Sequence, residues 1–134
     1  ESATPAQYLA YQKQFAATIG TRDAALADTI AQHEAASDPK AVAAWLREDV
    51  GTDLRPDLAK IAVPVLEVMP YDPVAAQAMG GFTQAQSIAF YQALLPGVPN
   101  LRVVAVAPAR HFAMLDQPDE FYAALARFMN SLPS

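Results

Sequence analysis

The sequence predicts an α/β chain, and three observations carry that expectation. The first fifty residues hold helix signals and no strand signal. Two apolar runs rich in β-branched residues, Ile61 to Met69 and Leu101 to Val106, then follow, each succeeded by a helical stretch. Strands that alternate with helices point to a parallel pair joined by a crossover. The expected order is three helices, then strand, helix, strand, helix.

In the helical part, Thr4-Pro5-Ala6-Gln7 supplies a capping hydroxyl, Pro at the first helical position and Gln where a capping box wants it. Tyr8, Tyr11, Phe15 and Ile19 recur at helical spacing until Gly20 stops the run. Thr21 is placed to cap a second, Ala-rich helix reaching about Ala36. Ser37-Asp38-Pro39 starts a third, with Val42, Trp45, Leu46 and Val50 as its apolar stripe and Gly51 at its end. Trp45 and the tyrosine stripe read better as packing residues than as the lining of an acyl pocket.

Residues 52–62 form a turn and a short helical piece, since Pro56 holds Arg55 away from the α region. Ile61 to Met69 is apolar almost throughout, as a parallel strand covered on both faces should be, with Pro64 near its start. Pro70-Tyr71-Asp72-Pro73 then makes a turn that carries a carboxylate. From Pro73 to Leu101 there is no charged residue, and Phe82 to Leu95 reads as a helix entered through Gly80-Gly81. Apolar side chains cover most of that helix, so it is expected to be well buried or to meet another part of the protein. The last helix, Pro118 to Leu132, carries Phe121, Tyr122, Leu125, Phe128, Met129 and Leu132 in one stripe.

Composition narrows the function. Hydrophobic residues make up 53% of the 134 and charged residues 17%, which argues for one folded domain. A net charge of −5, with nine Lys and Arg scattered singly, argues against nucleic acid. No apolar run approaches the roughly 18 to 20 residues of a membrane span, and no signal peptide is visible. Without Cys there are no disulfides and no thiolate chemistry, which is compatible with the cytoplasm. Two His and no Cys leave little for a transition metal, and Gly80-Gly81 lacks the Lys-Ser/Thr of a phosphate loop, so no cofactor is expected. The chain begins at Glu1 and not at Met, and an upstream part, removed or separate, is expected.

The chemistry-bearing residues are His111 and Asp72. A right-handed strand-helix-strand unit puts the carboxyl ends of both strands on one side, the side where α/β proteins bind ligands. Asp72 follows the first strand and His111 the second. A carboxylate on one imidazole nitrogen would fix the tautomer and free the other nitrogen to accept a proton. Asp72 also suits a plain turn former, and Asp116 competes as the acid, though its place before Pro118 reads better as a helix cap. His33 lies on a polar helix and reads as solvated.

His111 is followed by Phe112-Ala113-Met114-Leu115-Asp116-Gln117-Pro118-Asp119-Glu120-Phe121. This resembles the histidine loop and closing helix of the α/β-hydrolase family, where three apolar residues, an acid, any residue, Pro, two acids and Phe commonly follow. The stretch from Asp53 to Pro73 is similar to the same family, although the Gly many members place between strand and acid is replaced by Met69-Pro70-Tyr71. The resemblance implies the C-terminal part of an α/β-hydrolase fold, with parallel strands, a crossover helix and a helical cap, or lid, over residues 1–51, and core over 52–134. It assigns Asp72 as acid and His111 as base of an esterase-like Ser-His-Asp triad acting on a small ester or amide. The nucleophile should precede Asp72 on a Gly-x-Ser-x-Gly turn. Only Ser2 and Ser37 precede it, and neither has flanking glycines. Ser2 belongs to the chain end, Ser37 reads as a helix cap, and Ser87 lies mid-helix. The expected partner is therefore an N-terminal part of the same hydrolase carrying the nucleophile, or a second copy of this chain; this chain alone should be inactive. The alternative is a non-catalytic α/β domain that acts by binding or self-association. Two parallel strands alone expose their edges under either reading.

Overall fold

The structure, a computed structural model, describes residues 4–133. It divides into two compact units, Glu1–Asp53 and Leu54–Ser134.

In the first unit, helix α1 (Pro5–Phe15) starts on the expected capping box. The Thr4 hydroxyl accepts from the Gln7 backbone N–H, and the Gln7 side chain accepts from that of Thr4. α1 runs on into a π-helical turn, Ala16–Gly20. Helix α2 (Ala24–Glu34) is capped by Asp23 and not by Thr21. The Asp23 carboxylate accepts from Ala25 and Leu26 N–H at 2.8 and 3.0 Å, and it brings a full negative charge to the positive end of the helix. Thr21 is buried instead, its hydroxyl accepting from the Asp23 N–H. Helix α3 (Pro39–Gly51) takes Asp38, the residue after Ser37, as its cap.

The core of this unit is small. Ala16, Ala27 and Ala31 are buried together, with Ile30 packed against them. Alanines on both sides let the helices approach closely, which turns the α1 face centred on Tyr8, Gln12 and Ala16 inward. Tyr11 and Ile19, expected in the stripe, are exposed, and Gln12 is buried. α3 buries none of its residues; Trp45 is 72% and Val50 86% exposed.

The second unit opens with a 3-10 turn, Arg55–Lys60, closed by the Ile61 N–H donating to the Leu58 carbonyl. Strand β1 (Val65–Pro70) therefore begins later than the apolar run does, immediately after Pro64. A short helix that was not expected, α4 (Pro73–Ala78), follows at once. Gly80 and Gly81 take φ of 114° and 79°, backbone that other residues rarely adopt, and turn the chain from α4 into α5 (Gln84–Leu94). α5 has its own capping box between Thr83 and Gln86 but no buried residue. The expectation of a well-buried helix is thus overturned: one face meets β2 while Phe90 and Leu94 stay exposed.

Strand β2 (Leu101–Val106) pairs with β1 in parallel, from Val65 opposite Leu101 to Pro70 opposite Val106. Among the described residues the sheet has these two strands. A single turn, α6 (Ala113–Asp116), and helix α7 (Pro118–Met129) complete the unit. Val106, Ala109 and Ala113 form its core with Val68 and Phe121, and Met69 is fully buried. On α7 the apolar stripe is split: Ala124 is buried, whereas Tyr122, Leu125 and Met129 are exposed. The protein is mixed helix and strand, α/β in the coarse sense. No helix among the described residues is long and apolar enough to cross a membrane.

Candidate functional site

Parallel pairing continues past the last residues of both strands. The Tyr71 N–H donates to the Val106 carbonyl at 3.0 Å, and the Ala109 N–H donates to the Tyr71 carbonyl at 3.0 Å. These two bonds carry the loop after β1 and the loop after β2 to one edge of the sheet. Asp72 stands in the first loop, and Arg110 and His111 in the second.

Asp72 does two jobs at once. One carboxylate oxygen accepts from the Val74 N–H at 3.0 Å, capping α4. The other accepts from Arg110 Nε at 2.9 Å. The Asp72 side chain is 3% exposed and that of Arg110 24%, so this ion pair is largely shielded from water. Burial pushes the Asp72 carboxyl up. The Arg110 hydrogen bond, the N–H groups of Val74 and Ala75 and the guanidinium charge together outweigh burial and hold it below its ordinary value. The group is a carboxylate at neutral pH.

The loop after β2 is pinned along its length. The Ala107 N–H donates to Glu120 Oε2, Gln117 Nε2 donates to the Pro108 carbonyl, and the Arg110 N–H donates to Asp116 Oδ2 at 2.7 Å. Asp116 therefore holds the histidine loop and does not cap α7, whose cap position is Gln117 without a side-chain bond. An acid six residues after Arg110 folds back because the α6 turn brings it beneath the loop. His111 itself is exposed, and its ring stands edge-on to Phe112 with centroids 5.0 Å apart. Among the described residues it has no hydrogen-bond partner.

Asp72 and the His111 loop thus share an edge, but the contact between them runs through the neighbouring residue, Arg110. Reading the basic residues as scattered singly overlooked Arg110, although a signal was present. Asp72 precedes a charge-free span, and Arg110 is the cation in the one loop that the parallel crossover returns to the same edge.

Ser2 lies outside the described residues, Ser37 sits between α2 and α3 without capping α3, and Ser87 is half-buried within α5. His33 is exposed on α2. Among the described residues no group of three His, Cys, Asp or Glu is placed to hold a metal ion. No protein-family model, curated protein or solved structure matches the chain.

Proposed function

We propose that this chain is the acid-and-histidine part of an α/β hydrolase, with a helical lid over its first fifty residues. One observation carries the reading. Asp72, a buried carboxylate ionised at neutral pH, stands beyond one parallel strand and is reached by the residue next to His111, beyond the other. His111 is the general base. It takes the proton from a serine hydroxyl as that oxygen attacks an ester or amide carbonyl, then gives it to the leaving group; water reverses the sequence and frees the acid product. Asp72 orients the imidazole and offsets the charge it gains.

The serine and the oxyanion-hole N–H groups belong to an N-terminal part of the same hydrolase, whose strands would also cover the open sheet edge. The reading requires the His111 ring to turn onto the carboxylate that Arg110 engages here. A serine-directed phosphonate applied to the whole gene product tests it. Covalent labelling that is lost in His111→Ala supports the reading; clean folded protein with neither labelling nor esterase activity removes it.

A second reading, a domain that binds or self-associates without catalysis, draws on the apolar residues that α3 leaves exposed. Sedimentation separates the two. Concentration-dependent self-association of a gene product that carries no nucleophile favours the second.

A further inference from the structure

The amino ends of the two strands carry a second concave site, at the opposite end of the sheet from Asp72 and His111. A pocket of about 320 Å³ lies there, between the start of β2 and the end of α7. Pro64, Phe128 and Leu132 give it apolar walls, and Asn100, Arg102 and Ser131 bring polar groups to it. Arg102 is held from two sides. Its Nη1 donates to Ser131 Oγ at 2.6 Å, and that hydroxyl donates in turn to the Phe128 carbonyl at 2.6 Å. The guanidinium carbon stands 5.9 Å from the centre of the Phe128 ring, within cation–π range. These contacts remove part of the side-chain entropy that a ligand would otherwise have to overcome in ordering an exposed arginine. Ser131 is a neutral partner and leaves the positive charge uncompensated. No Asp or Glu is among the described residues that line the pocket. Glu67, the acid of β1, lies on the other face of the sheet, since Arg102 pairs in register with Leu66.

We propose that this pocket binds a small apolar carboxylate, its head on Arg102 and its body against Phe128 and Leu132. Charge and shape assign the head. A cation with no acid among its neighbours in the pocket attracts an anion and repels an amine. The guanidinium presents parallel N–H groups that a planar carboxylate accepts two at a time. With Nη1 engaged by Ser131, Nε and Nη2 remain to donate, and Asn100 adds an amide N–H. The volume lies at the lower end of small-molecule sites, which suits a body of about one ring. The site lies wholly within the second unit, uses neither Asp72 nor His111, and does not depend on the hydrolase reading.

NMR titration of the 134-residue chain with benzoate, benzylamine and acetate tests the proposal. Benzoate should bind saturably and shift the backbone amides of residues 100–102 and 128–132. It should bind about tenfold more tightly than benzylamine, which lacks the anion, or acetate, which lacks the ring. Arg102→Met keeps an unbranched stem and removes the charge, so benzoate should weaken about tenfold. The thermal midpoint of the ligand-free variant should move little, because Arg102 is exposed. Four results would overturn the assignment: no saturable binding of benzoate, shifts confined to the loop around Arg110, benzylamine bound as tightly as benzoate, or unchanged affinity in Arg102→Met. Should Arg102→Met fail to fold, Ser131→Ala takes its place. It frees the guanidinium from its anchor and should weaken benzoate about threefold; unchanged affinity there overturns the proposal equally.

Discussion

The two units of this chain hold together in different ways. The helical unit is assembled from local signals, with a side-chain cap at the start of each of its three helices, and its buried hydrophobic cluster is three alanines. The strand-bearing unit is assembled from contacts distant in sequence. Its strands pair 36 positions apart (Leu101 less Val65), and its Asp72–Arg110 pair spans 38. Local signals make helices but do not decide which face is covered. Non-local pairs decide the placement of chemistry. Both units leave large apolar side chains exposed, but the first holds the buried, unpartnered Tyr8 hydroxyl and the second a pinned, charged edge.

Substitutions can break or sharpen that contrast. The largest loss of stability should come from Met69→Ala, which empties a fully buried position in β1; about 3 kcal/mol is expected from urea unfolding. Arg110→Met should follow at about 2 kcal/mol, since it leaves the shielded Asp72 carboxylate without its cation. The same pair sets the response to acid. The folded Asp72 value is depressed, so its contribution is present above the unfolded carboxylate range and is lost as pH falls through the folded value. Acid unfolding of wild type should therefore be steeper than that of Arg110→Met. In the helical unit, Trp45→Ser should change stability by no more than about 0.5 kcal/mol, because the indole is already exposed. A loss as large as that of Met69→Ala would mean that the two units are not built differently after all.

Much of the element order was legible in the residues. Thr4 with Gln7, Pro39 after Asp38, and the β-branched run at Val103-Val104 each act within a few positions, and the structure follows them. What was not legible depends on competition or on distance. Asp23 and not Thr21 caps α2 because its carboxylate reaches the Ala25 and Leu26 N–H groups, whereas the Thr21 hydroxyl accepts from the Asp23 N–H. Gln12 is buried where Tyr11 was expected because alanine packing between α1 and α2 selects the helix face. Ile61 reads as strand but closes a 3-10 turn. At the candidate site, the shared edge of Asp72 and the His111 loop followed from the crossover of parallel strands. Arg110 as the carboxylate's partner did not, because nothing local links positions 72 and 110. Asp116 looked like a helix cap because its place before Pro118 suggested one, whereas the α6 turn folds it back onto the Arg110 N–H six residues earlier.

The central claim is that Asp72 and His111 act as one catalytic unit. It is tested most directly by comparing kcat for ester hydrolysis in the whole gene product among wild type, Asp72→Asn, His111→Ala and the double variant. Residues that act as a unit are strongly non-additive. The account predicts that Asp72→Asn loses about 10⁴-fold, and that the double variant is no slower than His111→Ala alone. An unchanged rate in His111→Ala, or losses that multiply in the double variant, would contradict it.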